Sequence, residues 1–420
     1  MTFQQQTFNN ALPTVAFAGF VGGDASASAH TASYLYGRRN VPALYNSPGS
    51  YELGKRILAL LQSRFWDGLH AGASLDPDAF ARTTPTLSGP KFVATFSGTQ
   101  SPTTGEPARI LLEHCRNRPI DTAAQGRVTS PYAVTVVDLH HVPASEVHPT
   151  LKAAAPFLPI LASIGASAGC ALVGDWHVFS MIALGMFCNA ATSTVLRASD
   201  LTFSHPTSAP GAPAGDGFLE AGNEIVVLKG SEDAVNAITR GRFSVRFSDE
   251  QSLRRLSTCA TLCTLQGLAH LLVVPHGTVL GQLFFLLSLA VAWLYNSSVA
   301  SVEKNAKAQV VMEDLLQAPS MKRYSLGTRT AMAVFLVQVL KPADVEEQLA
   351  ALIPNKTRVW TAWRQIVARR LAEGKPIFDS SLPAPTEAAA FTKEESTLMR
   401  TLLGDAQAAV NVYASARAHM

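Results

Sequence analysis

Two long stretches of this chain are nearly empty of charge, and no other feature constrains its fold so strongly. From Ala153 to Leu196 the only Asp, Glu, Lys or Arg is Asp175, and from Leu256 to Val302 there is none. Elsewhere charge is close to ordinary, so the low overall figure of 15% charged residues is concentrated in these two blocks. A soluble chain carries about 25%. Each block divides at a short polar break into two apolar runs of roughly 20 residues, the length that crosses a hydrocarbon layer about 30 Å thick.

The first block reads as Ala154–Gly174 and Val178–Leu196, joined by Asp175, Trp176 and His177. The second reads as Leu256–Val274 and Thr278–Ser297, joined by Pro275, His276 and Gly277. Three-residue connections between full-length spans force antiparallel hairpins. Trp176 at one turn, and Trp293 and Tyr295 near the end of the last span, suit the headgroup level. The expected fold class is therefore a membrane protein with an all-α core, four transmembrane helices arranged as two hairpins, carrying α/β and helical cytosolic regions.

Orientation follows from the basic residues. Both hairpin loops lack Lys and Arg, whereas the opposite flanks carry Lys152, Arg197, Arg254, Arg255, Lys304 and Lys307. The positive-inside rule then puts those flanks and both termini in the cytosol. The start of the chain lacks a basic n-region, so the first span is expected to serve as the insertion signal. The sequons at Asn296 and Asn355 would lie on the cytosolic side and stay unglycosylated.

The regions outside the spans divide as 1–152, 197–255 and 299–420, with the hairpins at 153–196 and 256–298. Residues 1–152 read as a small α/β region: a helix from Tyr51 to Trp66, then strand-like runs at Lys91–Phe96, Arg109–Leu112 and Tyr132–Val137 separated by Gly/Pro/Ser/Thr-rich loops. Residues 197–255 open on a Pro/Gly/Ala linker and continue as a strand over GNEIVVLKG. A short helix N-capped by Ser231 and an alternating strand at Arg242–Phe247 complete a compact β-α-β insert. In the C-terminal region Arg329–Leu340 is apolar but too short to span, and so a core or interfacial helix. Asp344–Ile353, Thr357–Ala372 and Thr392–Ala416 are amphipathic, and Thr392 with Glu395 forms a capping box.

The segments Val274–Lys304 and Val227–Phe243 resemble a group of fungal multi-pass membrane proteins with no assigned function. The resemblance covers about residues 150–310 and implies membrane location and a shared fold. It brings no catalytic residues.

Chemistry-bearing motifs are scarce. There is no Walker loop, GxSxG, HExxH or carboxylate pair at catalytic spacing, and Gly211–Gly217 lacks the Lys-Ser/Thr of a P-loop. A net charge of +3 and the lack of basic runs with interleaved aromatics speak against nucleic-acid binding. The five cysteines show no metal-binding spacing and read as packing residues. Asp138, His140, His141 and His148 are the densest titratable cluster, but no second motif completes a ligand set, so the reading is surface histidines and no metal or cofactor.

What remains is intramembrane. Gln266 and His270 are four apart on the third span and share a face, with Gln282 on the fourth and Asn189 on the second. Such a face either lines a polar path or fixes helix packing by interhelical hydrogen bonds, about 0.6 kcal/mol each. Packing is the preferred reading. Gly165 and Gly169 form a GxxxG, which permits close helix approach within the chain or to a second copy. The functional expectation is a non-enzymatic scaffold that sits in the lipid bilayer and binds a cytosolic protein partner. The alternative is a small channel or transporter built on the polar face.

Overall fold

The computed structural model describes residues 21–36, 41–55, 57, 89–141, 155–247, 250–378 and 391–418. The described helices are α1 (Gly23–His30), α2 (Glu106–Arg116), α3 (Phe157–Leu172), α4 (Trp176–Arg197), α5 (Glu232–Thr239), α6 (Glu250–Val273), α7 (Val279–Gln309), α8 (Arg329–Leu340), α9 (Val345–Leu352), α10 (Arg358–Ala372) and α11 (Lys393–Ala418). The strands are β1 (Lys91–Ala94), β2 (Gln100–Ser101), β3 (Thr122–Ala123), β4 (Tyr132–Leu139), β5 (Ser199–Ser204), β6 (Gly217–Ala221), β7 (Glu224–Gly230), β8 (Arg242–Phe247) and β9 (Ser320–Leu326). They sort into two compact units, each assembled from three separate stretches of chain. Unit 1 comprises residues 1–87, 144–204 and 242–314; unit 2 comprises 88–143, 205–241 and 315–420.

Unit 2 is built on a seven-stranded mixed sheet in the order β2-β1-β6-β7-β4-β9-β3. β4 and β7 run parallel at its centre, with Val134 opposite Ile225 and Val136 opposite Val227. These β-branched residues share one core with α8, α10 and α11, while the alternate positions Thr135, Val137, Val226 and Leu228 are also buried. Both faces of the central pair are thus covered, as a parallel pair requires. The short apolar helix α8 is buried almost all round and is a core helix, as its length implies. The capping box at Thr392 is closed in both directions: Glu395 N–H donates to Thr392 Oγ1 at 3.2 Å, and Thr392 N–H donates to Glu395 Oε2 at 2.9 Å.

Three expectations are corrected. Arg109–Leu112 is not a strand but the middle of α2, where Ala108, Leu111 and Cys115 fall on one buried helical face after Pro107 at the first turn. The β-α-β insert is not a module of its own. β7 pairs with β4 and β6 in the large sheet, whereas β8 pairs with β5 in a separate two-stranded sheet of unit 1. Nor is 1–152 one region: residues 89–141 build the sheet unit, and residues 21–57 belong to the helical one. Of the helix expected at Tyr51–Trp66, residues 58–66 lie outside the described residues, and 51–55 are helical.

Unit 1 is a helical core. Among the described residues three helices are long and apolar enough to cross a membrane: Trp176–Arg197, Arg254–His276 and Val279–Val302. The first expected span is shorter than Ala154–Gly174. Its helix starts only after Pro156 and gives way to Gly174 at φ +79°, leaving 16 residues. α7 runs well past the expected span to Gln309 and continues as a π-helical turn, Val310–Leu315. Within the unit the helices pair across the hairpins, α3 with α7 and α4 with α6.

Candidate functional site

The two hairpin turns meet. Asp175, the lone acid of the first block, is 3% exposed. Its Oδ1 accepts from Val178 N–H at 3.2 Å and so caps α4. Its Oδ2 accepts from Thr278 N–H at 2.6 Å and from Thr278 Oγ1 at 2.8 Å, at the start of α7. One carboxylate therefore serves two helix N-termini, where orphan N–H groups and the helix dipoles favour negative charge. The approach needs glycine: a Cβ on Gly281 would stand 2.1 Å from Asp175 Oδ2, and one on Gly277 would stand 2.3 Å from Val178 Cγ2. With the turns latched together, the four apolar helices form one bundle.

Inside that bundle lies a segment without regular structure, residues 41–49. It follows α1 and its π-helical continuation Thr31–Tyr36, and it leads into a helix at 50–55. Tyr45, Asn46 and Ser47 are buried. Non-helical backbone in apolar surroundings must find hydrogen-bond partners, and the spans provide them. Ser193 Oγ accepts from Ala43 N–H at 3.0 Å, and Ser163 Oγ accepts from Asn46 N–H at 3.0 Å. Asn189 Nδ2 donates to Tyr45 O at 3.1 Å. Side chains of the segment are held too: Asn46 Nδ2 donates to Ser288 Oγ, Tyr45 OH donates to Asn296 Oδ1 at 2.7 Å, and Asn296 Nδ2 donates to Ser47 Oγ.

Glycines let the inserted chain come this close. Gly49, at φ +72°, lies so near Gly23 that a Cβ there would sit 2.3 Å from the Gly23 nitrogen. A Cβ on Gly54 would meet the Ala260 carbonyl of α6 at 2.5 Å. The sequon residue Asn296 is wholly buried and spends its amide on Tyr45 and Ser47, which is a structural duty.

The polar residues expected to share a face are all buried, but they do not form one site. His270 Nε2 lies 3.2 Å from Met181 O on α4, and its ring stands edge-on to Phe285. Asn189 holds Tyr45 as above. Gln266 reaches toward Gly185, where an added Cβ would be 3.2 Å from Gln266 Nε2 and 2.1 Å from Asn46 Oδ1. Gln282 donates its Nε2 to Gly277 O at 3.1 Å within its own turn. Of the GxxxG pair only Gly169 is a packing glycine: its Cβ would meet the Phe284 ring at 2.9 Å, whereas a Cβ on Gly165 meets nothing within 4 Å.

The residues missed from sequence are Asn46, Ser163, Ser193, Ser288 and Asn296, together with the inserted segment itself. A signal for it exists: from Thr2 to Tyr36 the only charged residue is Asp24, and from Val41 to Tyr51 there is none. Asn46 Oδ1 is buried and has no hydrogen-bond partner among the described residues. In the Asp138 cluster, His141 Nε2 lies 3.1 Å from Gln317 Nε2, and His148 lies outside the described residues. No group of three His, Cys, Asp or Glu side chains among the described residues is placed to hold a metal. No protein-family model, curated protein or solved structure matches the chain, so its function has to be read from its own residues.

Proposed function

We propose that this chain is an integral membrane protein whose four apolar helices cross the bilayer as two hairpins, with both termini cytosolic, and that it works as a non-enzymatic scaffold. The observation that carries the membrane reading is the apolar exterior of unit 1 around an interior that also holds polar side chains. Asn, Gln, Ser and His side chains lie inside, while Leu158, Leu161, Leu172, Phe187, Leu272, Leu287 and Leu294 are exposed on the outside. A continuous apolar exterior of that kind is not stable in water. Lipid makes it ordinary, and it makes every buried polar group need a partner.

The scaffold reading rests on what those partners are. Asn189, His270 and Gln282 each place a side-chain nitrogen on a backbone carbonyl of the bundle, which is packing. The shorter α3 covers about 24 Å by its rise, and Pro156 and Gly174 bracket it near the interfaces. Basic flanks at Arg197, Arg254 and Arg255 support a cytosolic sheet unit, which would present the partner-binding surface. Reporters fused after Met420 and within residues 209–217 test the topology. Both should be cytosolic, and a lumenal signal from either overturns it.

A second reading, a small channel or transporter, is favoured by the unpartnered Asn46 Oδ1 beside Gln266. Reconstituted vesicles separate the two. Solute flux that falls in Asn46→Ala and Gln266→Ala, with the bundle intact, would favour transport. Absence of flux in the wild-type protein leaves the scaffold.

A further inference from the structure

A groove of about 460 Å³ opens on the outside of unit 1, along α4. On α4 it is lined by the mostly small residues Ala190, Ala191, Thr194, Val195 and Ala198, with Phe187 at one end and Arg255 of α6 also lining it. α4 and α6 run antiparallel, since Thr192 meets Cys263 and Met181 meets His270. That register places Arg255 at the Ala198 end. From Phe187 to Ala198 the groove follows α4 for about 16 Å, close to the depth of one hydrocarbon leaflet, roughly 15 Å.

Two further facts limit what can occupy it. Arg255 is exposed and has no hydrogen bond or ion pair among the described residues. Its end of the groove is the basic end of both helices, with Arg197 and Arg254. Small side chains on α4 leave a trough where Leu or Phe would give a ridge, and Phe187, 62% exposed, stands beside it. A lipid without a phosphate would leave the guanidinium no anion, and the basic cluster at this end favours a headgroup of net negative charge over a zwitterionic one.

We infer that this groove holds one anionic glycerophospholipid, its acyl chain along the small residues of α4 and its phosphate on Arg255. Guanidinium binds phosphate by paired, charge-assisted hydrogen bonds, and basic pockets at the cytosolic ends of membrane helices are suited to anionic headgroups. The inference rests on the membrane reading above, which has its own test: alkaline carbonate must leave the wild-type chain in the membrane pellet.

The lipid is tested on the full chain in nanodiscs of phosphatidylcholine doped with phosphatidylglycerol, followed by native mass spectrometry of the released protein. The wild type should retain phosphatidylglycerol. Arg255→Gln should lower retention about fivefold, the factor one basic residue gives near an anionic surface. Arg255→Lys should restore most of it. Ala191→Leu, which fills the trough, should also reduce retention. Equal retention in wild type, Arg255→Gln and Ala191→Leu overturns the inference. Displacement by soluble glycerol phosphate also overturns it, because that marks a free-anion site. A second copy of the chain in place of lipid, seen as a dimer without phosphatidylglycerol, does the same. If Ala191→Leu melts early, the exposed position 255 decides alone.

Discussion

The two units both bury apolar clusters, but they differ in the polar groups their interiors hold and in what their surfaces expose. In unit 2 the sheet and its helices close around Val, Leu, Phe and Trp, with Trp363, Tyr324 and Phe335 among its largest fully buried side chains. In unit 1 the interior is threaded with Asn46, Ser163, Asn189, Gln266 and Asn296, and large aliphatic side chains face out. Water rewards the first arrangement, at roughly 25 cal/mol per Å² of apolar surface removed from it. Lipid gives almost no such reward for bringing apolar helices together, so close glycine contacts and interhelical hydrogen bonds have to hold them. The difference teaches that burial is decided by the solvent a surface meets, and each unit should fail in its own way.

The largest expected effect is in unit 2. Trp363 is wholly buried and donates its indole N–H to Leu402 O at 3.2 Å. Trp363→Ala leaves a cavity and removes this hydrogen bond, and should cost about 4 kcal/mol. Hydrogen exchange of the β4 and β7 amides should accelerate sharply while the carbonate resistance of unit 1 is unchanged. Loss of both would show that the units do not stand on separate interactions.

Next comes the contrast between two exposed aliphatic residues. Leu287 on α7 is 58% exposed and Ile120 in unit 2 is 53% exposed. In water either could become basic at a cost within about 0.5 kcal/mol. If α7 lies in lipid, Leu287→Arg should impair insertion by about 3 kcal/mol, whereas Ile120→Lys should be silent. A glycosylation-mapped insertion assay reads the first and a thermal melt the second. Equal tolerance of both would break the comparison at its root.

The Asp175 latch is smaller but more specific. Asp175→Ala removes the acceptor for Val178 N–H, Thr278 N–H and Thr278 Oγ1, and should cost about 2 kcal/mol. Asp175→Asn keeps one acceptor oxygen and should cost less. Exchange of the Thr278 amide in detergent is the measurement, since it reports the joint between the hairpins and not general unfolding.

How much of this was readable beforehand differs between the units for a physical reason. The apolar runs, the buried helix α8 and the capping box at Thr392 are local, and their residues state them directly. The strand expected at Arg109–Leu112 failed because four apolar and basic residues fit either period, and Pro107 with its first-turn Glu106 decided for helix. Asp175 was visible only as a loop acid, because its partner Thr278 lies 103 residues away. The inserted segment was hidden for a related reason. Its Ser, Asn, Pro and Gly residues read as a polar loop, and only the complementary polar atoms on α3, α4 and α7 make it an interior one. Among the polar residues singled out, Asn189 and Gln266 do line that interior, while Gln282 donates to its own turn.

The pH response of Cys115 sharpens the comparison on the side of unit 2. Its thiol is buried on α2, and desolvation pushes it up to about 12 from 9.0. In the unfolded chain the thiol ionises from about pH 9 upward, while the folded protein holds the proton until about pH 12. Between those values the unfolded state binds fewer protons, so stability falls as pH rises. At pH 10 the loss attributable to this one group is about 1.4 kcal/mol relative to pH 7. Cys115→Ala lacks the group and should show a shallower alkaline slope. The difference between the two melting curves isolates Cys115 from the lysines and tyrosines that titrate in both. Parallel curves, or rapid alkylation of native Cys115 at pH 9, would mean that this interior admits water, and the dry apolar core ascribed to unit 2 would have to be given up.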